Sequence, residues 1–111
     1  MDTSGLTRSD LIQWIEKLAQ ERLPERSRET GEYPVQEDHC FQRIAYDAVC
    51  SGRWDRSVKP PFAKNARTEQ LRAAVEILIR MIEDPKAAHR LNQASLSYRR
   101  SDRTEERPQY E

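Results

Sequence analysis

The stretch TEQLRAAVEILIRMIEDP, residues 68–85, is the clearest indication of the fold in this chain of 111 residues. Its apolar side chains recur every three or four residues, which is the period of an α-helix with one buried face. The opposite side carries charged residues at four-residue intervals, as a solvated face does. Thr68 is the expected N-cap, and Asp84 with Pro85 ends this helix and begins another. The buried stripe comprises Leu71, Ala74, Val75, Leu78, Met81 and Ile82.

Helical periodicity appears in three further segments, so the sequence predicts one all-α domain of four helices. Helix one covers about residues 8–23. Thr7 and Asp10 form its capping box, and Pro24 ends it, because a proline cannot donate the backbone hydrogen bond that an α-helix needs. Residues 24–37 are expected to form a loop, since they contain two prolines, one glycine and few apolar side chains.

Helix two covers about residues 38–51, and Gly52 is expected to end it by taking the left-handed conformation. A long connection, residues 53–67, then leads to helix three. Helix four begins at the proline that follows helix three and completes a single domain over residues 1–98. Residues 99–111 lack apolar periodicity, so they are expected to form a mobile, disordered tail.

The composition predicts a soluble protein without the overall positive charge of a typical nucleic-acid binder. Charged residues make up 34% of the chain, against about a quarter in typical domains, and the formal net charge is zero. No apolar run approaches the roughly 20 residues that span a bilayer, and the first residues lack the pattern of a signal peptide. We therefore expect a cytoplasmic protein that does not bind membranes.

The segment HCFQRIAYDAVCSGRWD, residues 39–55, concentrates the reactive side chains of the chain. On a continuous helix, His39 and Cys50 lie about 16 Å apart, and Cys40 and Cys50 about 15 Å apart. These pairs can therefore neither share a metal ion nor form a disulfide. With only three glycines, the chain also lacks the glycine-rich phosphate loops of nucleotide-binding enzymes. The sequence thus favours a protein that is not an enzyme, and it assigns no catalytic residue, cofactor or metal.

Two interpretations remain open for the face of helix two that carries Arg43, Tyr46 and Cys50. In the first, which burial statistics favour, helix two is central, with helices three and four on one side and the connection on the other. Arg43 would then pair with Asp47 or with the acidic loop before the helix. In the second, this face and the connection after it form a surface that binds a partner.

Taken together, these observations predict a small, non-enzymatic module for protein binding or regulation. Its partner would be another protein or a second copy of the chain. Arginine and aromatic side chains are favoured anchors of protein interfaces. The predicted binding residues are Arg43, Tyr46, Trp54, Arg56 and Phe62.

Two alternatives follow from the same part of the chain, and the sequence favours both less than protein binding. The connection interleaves basic with aromatic side chains, as surfaces for single-stranded nucleic acids do. An acidic segment at residues 29–38 would oppose phosphate binding. A cysteine-dependent enzyme, using Cys40 or Cys50, would need a thiol whose pKa is lowered. The basic residues of the connection are Arg53, Arg56, Lys59, Lys64 and Arg67.

Three segments, residues 39–55, 68–85 and 91–99, resemble a set of short, uncharacterised prokaryotic proteins, and the resemblance spans residues 36–99. It implies an all-α fold with the helix boundaries given above and transfers no catalytic residue. An acetyltransferase-related activity, a label that such sequences can carry, would require a β-sheet and a glycine-rich pyrophosphate loop. The sequence predicts neither of these features.

Overall fold

The computed structural model describes residues 2–101, and every regular element in that range is helical. The predicted all-α class is therefore confirmed. Residues 102–111, which belong to the predicted tail, lie outside the described residues. The elements in chain order are α1 (Arg8–Lys17), a π-helical segment (Leu18–Arg22), α2 (Leu23–Thr30), α3 (Asp38–Cys50), a 3₁₀ turn (Trp54–Arg56), α4 (Phe62–Asn65), α5 (Thr68–Glu83) and α6 (Pro85–Ser101).

The predicted count of four helices is wrong by one within residues 2–101. α1, the π-helical segment and α2 form one continuous helix, which takes the place of predicted helix one. α3, α5 and α6 correspond to the other three. The additional helix is α4, a single turn inside the predicted connection, which is too short to show an apolar period.

The first helix passes through Pro24, where the sequence predicted its end. In the π-helical segment, the Leu23 N–H donates to the Leu18 carbonyl, one residue further back than in an α-helix. This wider turn directly precedes Pro24, and it gives room to a ring that otherwise clashes with the carbonyl four residues earlier. The helix then ends at Gly31, whose φ of 66° is left-handed. Only residues 31–37 remain of the predicted loop.

The other helix ends lie close to the predicted positions, but two of the capping residues differ. α3 ends at Ser51, whose φ of 51° is left-handed, and not at Gly52. The N-cap of α5 is Arg67 and not Thr68, and its N–H donates to the Gln70 side chain at 2.8 Å. At the start of α6, Asp84 accepts from the Lys86 N–H at 3.0 Å, as predicted.

α3 lies at the centre of the fold, between α5 and α6, and the first helix packs against α5. The Cα positions extend over 39 × 32 × 17 Å. Because packed helices lie roughly 8–10 Å apart, the shortest dimension holds two layers of helices. The apolar stripe predicted for helix three is buried on α5, apart from Ile82, which is half-buried. In residues 2–101 no helix combines the length and the apolar composition that crossing a bilayer requires.

Candidate binding cleft

Asp47, near the end of α3, is fully buried and connects three parts of the fold. Its carboxylate accepts hydrogen bonds from the Trp54 backbone N–H at 2.9 Å and from the Ser95 hydroxyl at 2.6 Å. It also accepts two from the Arg99 guanidinium, at 3.0 and 3.1 Å. Arg99 supplies the opposite charge that a buried carboxylate requires. Asp47 therefore ties α3 to α6 and to the 3₁₀ turn.

Arg43 extends this network along α6. Its Nη1 donates to the Ser95 hydroxyl at 2.6 Å, and its Nη2 donates to the Asn92 side-chain oxygen at 2.8 Å. The predicted pairing of Arg43 with Asp47 or with the acidic loop is therefore wrong. Asp47 is already paired with Arg99, which α6 carries because the helix extends to Ser101, beyond the predicted start of the tail.

Tyr46, Trp54 and Phe62 form a packed cluster, called here the aromatic trio. The rings of Tyr46 and Phe62 are stacked, with centroids 3.8 Å apart and planes 9° apart. Trp54 meets both edge-on, at 5.6 and 5.7 Å. Tyr46 and Phe62 are buried, and Trp54 is half-buried. Burial, with the charge of Glu16 as a second cause, raises the pKa of Tyr46 to about 12. The trio fastens the connection to α3.

The five predicted binding residues do not form one surface. Arg43 belongs to the polar network with α6, and Tyr46, Trp54 and Phe62 make up the aromatic trio. Arg56 lines an open cleft. Helix two is central, as the first interpretation has it, but its predicted surroundings are wrong: α5 lies on one side of it, and α6 lies with the connection on the other, where it covers Arg43.

The open cleft lies where the end of α3, the connection and the start of α5 meet. Its first lobe has a volume of about 710 Å³, and its second lobe, toward the end of α6, has a volume of about 260 Å³. Cys50 and Ser57 line both lobes, so the lobes adjoin. The first lobe is further lined by Val49, Val58, Lys59, Arg67 and Gln70. The second is further lined by Arg53, Arg56, Tyr98 and Ser101.

The lining of the cleft carries four cationic side chains, and the described residues place no carboxylate in it. Lys59 and Arg67 are exposed in the first lobe. In the second lobe, Arg53 donates to both carboxylate oxygens of Asp55, at 2.8 and 3.2 Å, so its charge is balanced. The first lobe is therefore the more strongly basic of the two.

Cys50, which both lobes share, is not an activated thiol. Burial raises the pKa of the Cys50 thiol, the neighbouring Asp47 carboxylate raises it further, and the Arg67 guanidinium opposes both. A cysteine nucleophile needs the opposite shift, because the thiolate is the reactive form. Among the side chains that the structure describes, no group of three or more His, Cys, Asp or Glu residues is placed to hold a metal ion.

Sequence reasoning identified the basic residues of the cleft but not its other walls. Four of the five basic residues of the connection line the cleft, and the fifth, Lys64, lies exposed on α4. Gln70, Tyr98 and Ser101 were missed. Gln70 follows the connection directly and caps α5 with Arg67, so its place was within reach of local reasoning. Tyr98 and Ser101 come from α6, and no local signal in the sequence places them beside the connection.

None of the protein-family models, curated proteins or solved structures with which the chain was compared matches it. The acetyltransferase alternative has no support in the fold, because residues 2–101 contain no β-strand.

Proposed function

We propose that the protein is a small, non-enzymatic protein-binding module that receives a segment of a partner protein in the cleft. The observation that carries this proposal is the composition of the cleft. The half-buried Val49 supplies apolar surface, and charged and hydrogen-bonding side chains such as Lys59 and Gln70 line the same lobe. Protein interfaces likewise combine apolar surface with charged and hydrogen-bonding side chains.

The cleft is preformed, because contacts within the protein hold its walls in place. Asp47 holds the backbone of the 3₁₀ turn and the end of α6, which together form the second lobe. The aromatic trio holds the connection against α3. A preformed site loses less conformational entropy on binding than a site that must first become ordered. A larger part of the interaction energy with a short peptide segment therefore remains as binding affinity.

Protein binding fits the structure better than either alternative. Single-stranded nucleic acids need exposed aromatic rings on which bases stack. The rings of Tyr46 and Phe62 are stacked on each other and buried, and Trp54 and Tyr98 are half-buried. The formal net charge of zero gives no general attraction to phosphates. The raised pKa of the Cys50 thiol is unfavourable for a cysteine-dependent enzyme.

A peptide-display selection tests this proposal. The protein is used to select binders from a library of random peptides, and their affinities are measured for the parent protein and two variants. Ser57→Trp places a bulky ring in both lobes, since Ser57 is an exposed residue that lines each of them. Gln36→Trp is the matched control. It adds the same ring at an exposed site before the start of α3, about 20 Å from Cys50 at the other end of that helix.

We expect selected peptides to bind the parent protein and Gln36→Trp equally, and to bind Ser57→Trp at least about tenfold more weakly. A selection that yields no specific peptide would contradict the proposal. Peptides that bind Ser57→Trp as tightly as the parent would show that the cleft is not the binding site.

A further inference from the structure

The surroundings of α3 differ in charge at its two ends. Basic side chains lie near its last residues, and acidic side chains lie near its first. Lys59 and Arg67 lie in the first lobe beside the end of α3, next to Cys50. The acidic residues of segment 29–38 are all exposed and lie at or before the start of α3: they are Glu29, Glu32, Glu37 and Asp38. The length of α3 puts about 20 Å between its ends, more than twice the screening length of about 8 Å at physiological salt. Glu37 and Asp38, at the start of α3, therefore do not neutralise the cleft.

From this charge distribution we infer that the segment received by the cleft is acidic, with a carboxylate side chain bound between Lys59 and Arg67 in the first lobe. This inference rests on the proposed function, since it specifies the chemistry of the same partner. The exposed cations of this lobe lie in a lining that holds no carboxylate among the described residues. The lobe also offers the Ser57 hydroxyl and the Gln70 amide as further hydrogen-bond donors.

The apolar part of the lobe specifies the rest of the segment. Val49 and Cys50, both half-buried, line the same lobe as the two cations. An apolar side chain next to the bound carboxylate would cover this surface. The partner segment is therefore an acidic peptide with apolar residues interspersed, and a run of carboxylates alone would leave the apolar surface uncovered.

An acidic peptide fits this lobe better than a nucleic acid does. Nucleic acids are bound by cations that follow the phosphate backbone over several nucleotides, combined with aromatic rings that stack on bases. Here two exposed cations lie in one lobe, and Arg53 in the second lobe is already paired with Asp55. The buried members of the aromatic trio offer no surface for stacking.

A charge-reversal selection tests the inference. The same random peptide library is used with the parent protein, with Lys59→Glu/Arg67→Glu, and with Arg26→Glu/Lys86→Glu as a control. Both pairs replace one exposed lysine and one exposed arginine. The control pair lies away from the cleft, on α2 and at the start of α6, whose first residues follow the far end of α5. Lys59→Gln/Arg67→Gln keeps the test valid if the reversed variant fails to fold.

We expect the parent and the control to select peptides enriched in Glu and Asp, and Lys59→Glu/Arg67→Glu to select peptides enriched in Lys and Arg. Acidic peptides should bind the reversed variant, and the Gln variant, at least about tenfold more weakly than the parent. Their affinity for the parent should also fall as salt is raised.

The outcomes separate this inference from the proposed function. Peptides that bind in the cleft without enrichment of acidic residues would overturn the inference and leave the proposed function intact. A failure to select any peptide would contradict the proposed function itself. A short single-stranded DNA that binds the cleft more tightly than the selected peptides would also overturn the inference.

Discussion

Replacement of Asp47 by alanine is expected to lower the free energy of unfolding by about 3 kcal/mol. Removal of one partner from a buried ion pair costs about 3–5 kcal/mol, because the remaining charge loses its counter-ion in a poorly solvated site. The Arg99 side chain is 29% exposed and can recover some hydration, which favours the lower end of that range. The Trp54 N–H and the Ser95 hydroxyl also lose their acceptor, although these losses do not add independently.

Urea unfolding measures this loss, with the two tryptophans as fluorescence probes and circular dichroism for helix content. For a chain of this size, each kcal/mol corresponds to about 4–8 °C in Tm, so the melting temperature should fall by about 12–24 °C. Asp55→Ala is the control. It removes a carboxylate whose side chain is 30% exposed and which is paired with Arg53 near the surface, and it should cost less than about 1 kcal/mol.

A double-mutant cycle with Arg99→Ala identifies the source of the loss. If the Asp47–Arg99 pair joins α3 to α6, the two substitutions should show a coupling energy of about 1–3 kcal/mol. Equal, small losses for Asp47→Ala and Asp55→Ala, together with additive behaviour toward Arg99→Ala, would refute this reasoning. The end of α6 would then not be held by this carboxylate.

Three further predictions concern the aromatic trio and Cys50. Unfolded tyrosine loses its proton near pH 10, whereas folded Tyr46, with a pKa of about 12, retains it. The free energy of unfolding should therefore fall as pH rises from about 10 to about 12, and Tyr46→Phe should remove most of that fall in urea titrations at several pH values. Phe62→Ala should lower the free energy of unfolding by about 3–5 kcal/mol, because it removes a buried ring that stacks on Tyr46; a loss below about 1 kcal/mol would contradict this packing. In a Cys40→Ser background, iodoacetamide should alkylate Cys50 more slowly near neutral pH in the folded state than in urea, because burial and then Asp47 raise the pKa of the thiol; equal rates would contradict this.

The helices with a strong apolar period could be predicted from the sequence to within a residue or two. Helix two, predicted over residues 38–51, corresponds to α3 at Asp38–Cys50. Asp84 and Pro85 correctly predicted the start of α6. These features are local, since the period reports one buried face and a cap involves residues a few positions apart. The same reasoning identified the buried stripe of α5.

The errors have two sources, a local exception to the rule that proline ends a helix and a contact between residues far apart in the chain. Pro24 was expected to end the first helix, but the preceding π-helical turn accommodates it, and no feature of the sequence announced that turn. Arg99 lies in the polar run RRSDR, which has no apolar period and was assigned to the tail. Its partner, Asp47, lies 52 residues earlier in the chain. A pairing at that distance becomes visible only when α3 and α6 are placed side by side.

The candidate site illustrates the same limit. A helical wheel shows that α3 has two distinct faces, but it cannot show whether the second face is covered. In the structure α6 covers Arg43, and the connection covers Tyr46, so the side chains chosen for their chemistry hold the fold together. The surface left open is the cleft beyond them, where the continuous stretch of residues 49–70 meets the distant end of α6.

The separation between buried network and open cleft makes stability and binding independent measurements. Lys59 and Arg67 are exposed, so their reversal should change the choice of peptide with little change in unfolding free energy. Asp47 does not line the cleft, yet it accepts the Trp54 N–H and so holds the backbone that carries the second lobe. If the partner segment binds chiefly in the first lobe, loss of Asp47 should lower stability far more than affinity in the protein that remains folded. The two sets of variants therefore assign binding to the cleft and stability to the contacts beneath it.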